Sequence, residues 1–407
     1  MPSHFRIALC LLLSHASVAL AQLNSRGNNE GTGEYAVRPL RQPTAIAWEA
    51  RSGFRDFGAM AFSKGVIVTG NITGDGGIFA YDATSGKLLW GTRGQAMRSA
   101  PAIDGDFAYV ITRGDGAKFR LTSLALTTGK ARWSVSEEQL GVHDAPPIVS
   151  GGRVYVINES GKVKAFEAAT GKPVWETPYS PEKGHCPTAM ALAEGVLYFG
   201  GGHVPSARSQ GRFVWALDAA TGQVLWKYKA KPETYNDDGE CITAPAVSGG
   251  SLVFGSESVL FALDAKTGAL RWRKETVRTV DGNQRHERLS EPLITGGVIY
   301  TQSGHGLSGW DLRTGNRVFD LPGKFYDSPA TNRMVAAGGI LYYVADNETD
   351  VHWPIYALDT KTQRILWRHR SNRANRFESV ATWRTSHILL MDDALIYENE
   401  GMLVKLR

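Results

Sequence analysis

Few residues of this chain combine acid–base or metal-binding chemistry with a place in a repeated pattern. Cys186 stands two residues before Thr188, and Cys241 stands two residues before Thr243, each at the entry to a similar phrase: TAMALAEGVLYFG and TAPAVSGGSLVFG. Each cysteine follows a polar titratable group, His185 or Glu240. In other copies of the phrase Arg288 takes the cysteine position, and His143-Asp144 takes the two positions after it. A histidine beside a carboxylate can exchange protons at neutral pH, which makes His143, Asp144, His185 and Glu240, with Arg288 as the cation, candidates for general acid–base work. The same Cys/His/Glu set, with His286, could hold zinc, although no local pair has zinc-ligand spacing. The two cysteines could instead be joined in a disulfide. The plainer alternative is that these groups satisfy nearby backbone. No Gly-x-Ser-x-Gly, phosphate-binding loop, HExxH or CxxCH sequence is present.

What must position these residues is a repeat. The phrase VWALDAATGQVLW (214–226) recurs as IFAYDATSGKLLW (78–90), LTSLALTTGKARW (121–133), VKAFEAATGKPVW (163–175), LFALDAKTGALRW (260–272), LSGWDLRTGNRVF (307–319) and, more weakly, IYALDTKTQRILW (355–367). Each reads as two short strands around an Asp-x-x-Thr-Gly turn. Glycine supplies the positive φ, and the Asp and Thr side chains bond the turn backbone. A second pair of strands with a Gly-Gly or Asp-Gly turn precedes each phrase, as in SAPAIDGDFAYVI (99–111). Four strands at a period of about 46 residues make a propeller blade. Seven such units run from about Phe57 to His369. The tail SHILLMDDALIYENEGMLVKL (386–406) holds three strands, and the strand TAIAWEA (44–50), with Trp48, supplies the fourth. The expectation is an all-β, single eight-bladed β-propeller of four-stranded blades, spanning 43–407 and closed by its two termini.

Residues 1–21 read as a signal peptide: Arg6, a short apolar run and Ala19-Leu20-Ala21. Residues 22–42 read as a flexible lead-in. No other stretch is apolar enough to span a bilayer. The address expected is secreted or periplasmic. Cleavage would also remove Cys10, leaving Cys186 and Cys241 as the disulfide candidates. The formal charge of +5 is scattered rather than blocked, which argues against nucleic acid as a partner.

In a four-stranded blade, the links between blades and the loops joining second to third strands share one face, termed the loop face. The insertions 200–212, 230–240, 276–289 and 345–354 all fall there, and variable loops on a rigid scaffold carry function. His203, Arg208, Tyr235, Trp353 and Phe377 are the candidate binding residues on it. The entries to the inner strands align as Gly58, Ser99, Asp144, Thr188, Thr243, Ser290, Thr331 and Ser386, a ring of small hydroxylated residues with one carboxylate.

The repeated Asp-Ala-x-Thr-Gly-x-x-x-Trp phrase resembles that of the PQQ-like propeller family, over nearly the whole chain beyond residue 42. The resemblance implies one of two branches. Quinoprotein dehydrogenases bind pyrroloquinoline quinone and calcium on the propeller axis, many under a disulfide between adjacent cysteines, and have longer insertions. This chain has no adjacent cysteines, so PQQ with calcium is disfavoured and no cofactor is expected. BamB-type propellers are similar in size, exported and non-catalytic, and bind through loop-face surfaces; this chain lacks their lipid-anchored cysteine. The reading adopted is an exported, monomeric binding scaffold that takes a protein or small-molecule ligand on its loop face. The alternative is an enzyme with its site at the channel mouth.

Overall fold

The computed structural model describes residues 26–51, 59–71, 76–113, 118–138, 145–158, 160–179, 187–201, 212–230, 242–256, 258–280, 282–323, 334–344, 354–370, 387–399 and 401–407. Among these there is no helix. Eight four-stranded antiparallel sheets form the blades of one ring, numbered here in chain order: 61–91, 102–138, 148–178, 191–230, 246–275, 293–322, 334–369, and 388–406 with Ile46–Arg51. In the eighth, Ile46–Arg51 is the outermost strand and pairs with Met402–Leu406, with Trp48 opposite Lys405. The closure expected from sequence is therefore the one formed.

Blade-to-blade packing explains the repeated phrase. The indole N–H of each repeat tryptophan from Trp90 to Trp272 donates to a turn carbonyl of the next blade: Trp90 to Leu126 at 2.8 Å, Trp133 to Ala168 at 2.9 Å, Trp175 to Ala219 at 3.1 Å, with Trp226 and Trp272 alike. The ring then lies flat on the next Thr-Gly turn. A Cβ added to Gly222, which has φ +75°, would sit 2.6 Å from Trp175. The one repeat that ends in Phe319 rather than tryptophan is followed by a turn with Gln363 in place of glycine, at φ 58°. Without an indole above the turn, a side chain is tolerated there. Where the turn begins with Asp, its carboxylate accepts from the backbone N–H and hydroxyl of the residue three positions on, as Asp218 does from Thr221 at 2.7 Å; Ala125 and Glu167 stand there in blades 2 and 3.

Residues 26–42, inside the stretch expected to be a flexible lead-in, are instead packed into the ring. Four corresponding inner-strand N–H groups in consecutive blades donate to this strap: Leu192 to Asn29, Val247 to Glu30, Ile294 to Thr32 and Ala336 to Gly33, at 2.7–2.9 Å. The innermost strand of a blade has a free inner edge, and the strap satisfies part of it. Tyr35 and Leu40 are buried.

The strap also completes the eighth blade. In blades 2 and 4 a tyrosine hydroxyl and the repeat indole converge on one carbonyl of the next blade: Tyr109 and Trp133 on Ala168, Tyr198 and Trp226 on Ala265. The eighth blade has no Thr-Gly turn, because its outer two strands come from opposite chain ends. Leu40 supplies the missing acceptor and receives Tyr342 at 3.0 Å and Trp367 at 3.2 Å.

Candidate functional site

The described residues of the loop face begin with the inner-strand entries. Thr188, Thr243 and Ser290 turn their hydroxyls back onto their own blades, accepting from the backbone N–H of Gly200, Gly255 and Gln302 at 2.8–2.9 Å. Ser99 donates to the Ala100 carbonyl. The four described hydroxyls of that ring thus bond backbone.

At the loop-face end of the strap, the Arg26 guanidinium is buried among carbonyls. It donates to Met190 at 3.0 Å, Gly31 at 3.2 Å and Pro245 at 2.8 Å, and pairs with Glu291 at 3.5 Å. Desolvation by burial lowers its pKa, and the Glu291 charge works against that. A strap carboxylate, Glu34, accepts from Thr295. Both carboxylates are engaged within the protein, Glu291 with Arg26 and Glu34 with Thr295.

The feature that projects is a hairpin between blades 5 and 6, with strands Val277–Val280 and Asn283–His286. Its turn carries Asp281-Gly282, a strong two-residue hairpin signal, and Gly282 has φ 77°. Its base is held by Thr276, whose hydroxyl bonds the Ser258 and Glu287 carbonyls at 2.8 and 2.9 Å. A buried ion network holds its flank. Glu287, with a side chain only 1% exposed, accepts from Arg278 Nε at 2.7 Å, Arg317 Nη2 at 3.1 Å and Ser303 Oγ at 2.6 Å. Arg278 also reaches Asp320 and Ser308, and Arg317 lies 4.5 Å over the Trp310 ring. So anchored, the hairpin exposes its whole second strand, Asn283, Gln284, Arg285 and His286.

The hairpin was legible in part. Residues 276–289 were expected as a loop-face insertion, but TVRTVDGNQRHE also carries alternating strand residues around an Asp-Gly turn. Arg288 follows the buried Glu287 and is exposed. His286, aligned near the cysteines by sequence, lies on the exposed strand with Nδ1 3.4 Å from Ser258 Oγ. His143, Asp144, His185, Cys186, Glu240 and Cys241 lie outside the described residues, as do His203, Arg208, Tyr235, Trp353 and Phe377. Among the described residues no group of three His, Cys, Asp or Glu side chains could hold a metal ion, and no helix is long and apolar enough to cross a membrane. The asparagines of two Asn-x-Ser/Thr sequences, Asn71 and Asn158, are each 1% exposed.

Comparison with known proteins was consistent with this geometry. The family model described as outer membrane protein assembly factor BamB, of PQQ-like repeats, matches residues 36–185 and 117–369. The BamB of Yersinia pestis is 28% identical over 244 residues, covering 57% of this chain and 58% of that protein. The dehydrogenase subunit of a quinone-dependent alcohol dehydrogenase from Gluconobacter oxydans is also 28% identical, over 225 residues, covering 47% of this chain and 28% of that protein. The chain thus spans less than two thirds of either relative. The crystal structure of BamB from Moraxella catarrhalis superposes with a TM-score of 0.63 at 17% identity, covering 89% of this chain and 99% of that one. That likeness shows the fold.

Proposed function

The chain belongs to the BamB-like family of PQQ-repeat propellers, and from that premise we propose that it is an exported binding scaffold that grips a protein partner with its loop face. The observation that carries this reading is the hairpin 277–286. A buried ion pair is costly to desolvate and is retained where geometry matters. Here it fixes a hairpin whose second strand buries none of its side chains. An edge strand presented in this way offers backbone and side-chain groups to another polypeptide. The inner-strand hydroxyls, by contrast, are spent on backbone locks, and Arg26 is spent on carbonyls. That leaves the described channel with little to offer a small substrate.

The test is site-specific photocrosslinking in the native host, from Gln284 on the hairpin and from Lys361 on a Thr-Gly-type turn of the opposite face. The reading expects one defined envelope-assembly protein to crosslink from position 284 and not from 361. Crosslinks from 361 alone would reverse the face assignment. Stoichiometric uptake of pyrroloquinoline quinone with calcium, coupled to dye-linked alcohol oxidation, would move the protein to the dehydrogenase side of its family.

A further inference from the structure

We propose that the inner-strand edges of blades 4 to 7 are a binding site for a polypeptide segment, and that residues 26–38 are its resident occupant in cis. This goes beyond the loop-face reading and does not depend on it.

The strap belongs to none of the eight sheets. Its one ladder contact is an isolated parallel bridge between Glu34 and Ala336. It is held as a bound peptide would be held. Leu192, Val247, Ile294 and Ala336 occupy one equivalent position in four successive inner strands, and their N–H groups point into the axis. Each meets a strap carbonyl, and Tyr35 N–H returns a bond to the Ala336 carbonyl at 2.7 Å. Recognition through backbone groups along sheet edges is the mode by which added peptide segments dock.

Selectivity comes from two further features. The Arg26 guanidinium is clasped by the carbonyls of Met190 and Pro245, in two different blades. The strap then folds back on itself so closely that a Cβ at Gly31, φ +68°, would lie 2.7 Å from that guanidinium. The ligand class is therefore a segment that opens with an arginine inside a tight glycine-bearing turn, with a glycine about five residues later, the spacing of Arg26 and Gly31, and then runs on along the inner strands.

The experiment uses the full chain, with residues 41–43, of which Arg41 and Gln42 are exposed, replaced by a protease recognition sequence. After cleavage, a fluorescent peptide of residues 22–40 is added and its uptake followed by anisotropy, with native mass spectrometry reporting the strap released. The expected result is a folded nicked ring that exchanges its strap for the labelled one. Peptides carrying Arg26→Ala or Gly31→Ala should bind at least about tenfold more weakly, the loss expected for a charge-assisted contact. Uncut Arg26→Ala protein should stay folded, with the strap newly open to proteolysis. Three results would overturn the proposal. One is a nicked ring that unfolds. Another is a nicked ring that never takes up peptide. The third is equal affinity for the wild-type and variant peptides. The first two would make the strap a permanent part of the ring, and the third would remove the arginine from recognition.

Discussion

Replacing Glu287 with alanine should free the 277–286 hairpin while leaving the ring closed. The carboxylate receives Arg278 Nε at 2.7 Å, Arg317 Nη2 at 3.1 Å and Ser303 Oγ at 2.6 Å, and its side chain is 1% exposed. Removing one partner of a buried pair costs about 3–5 kcal/mol, because the other charge is left without compensation. Arg278 keeps Asp320, at 2.7 Å, and Ser308, at 3.0 Å. That places the expected cost at the lower end, about 3 kcal/mol. At 1.4 kcal/mol per factor of ten, the hairpin should open about a hundredfold more often.

Hydrogen exchange read by mass spectrometry over 274–290 measures this directly, with the inner strands of blade 5 as the internal reference. Glu287→Gln keeps an acceptor and should lose protection by about tenfold, in line with one charge-assisted bond weakened. Unchanged exchange in Glu287→Ala would refute the claim that this network anchors the hairpin. An equal rise across blades 5 and 6 would show that the network belongs to the ring's core. Loss of protection confined to the hairpin, together with loss of the Gln284 crosslink, is the outcome the reasoning requires.

Other perturbations separate the ring's own devices. Gly222→Ala forces a Cβ to 2.6 Å from Trp175 at φ +75°, and should cost about 2–4 kcal/mol in denaturant unfolding. Gln363→Gly at the corresponding turn, φ 58°, should be neutral or stabilise by about 1 kcal/mol. The Asp264 carboxyl is held down to about 2, first by Arg271 and then by Thr267, and Asp82, Asp218, Asp311 and Asp359 are lowered in the same sense. A depressed folded pKa adds stability above the unfolded value, about 3.9, and loses it as pH falls. Melting temperature should therefore drop between about pH 4 and pH 2, and Asp264→Asn should flatten that limb. Expressed through a glycosylating secretory route, the folded chain should carry no glycan on Asn71 or Asn158, both 1% exposed; a glycopeptide at either would contradict the packing.

The ring was legible because its blades repeat. A tryptophan at a fixed place after Thr-Gly makes sense only if it reaches a neighbour, and the Trp175–Gly222 contact shows which neighbour. Even the departure in the seventh repeat, Gln363, makes physical sense beside Phe319. The strap was not legible, because RGNNEGTGEYAVRPL has no period and little apolar content, and its partners are backbone groups that leave no trace in side-chain pattern. Composition of that kind reads as a loose lead-in. The only sequence signals were three closely spaced glycines and one arginine. Arg288 was singled out by register alone, whereas the residue doing the anchoring is its neighbour Glu287, whose significance depends on Arg278, nine residues away, and Arg317, thirty residues away.

The two non-blade elements divide the molecule's polar chemistry between them. The strap satisfies inner-edge N–H groups that a bare ring would leave to solvent, and it supplies the carbonyl the eighth blade lacks. The channel is thereby committed to main-chain recognition. The hairpin does the reverse: the Arg278–Glu287 pair is buried at its base while its second strand stands exposed to solvent. A cofactor enzyme needs convergent side chains on a hollow axis. A scaffold needs a stiff ring and a few rigid projections from it. Among the described residues, the strap's inner-edge bonds and the hairpin's buried anchor are features of that second kind, and the proposed scaffold reading rests on them.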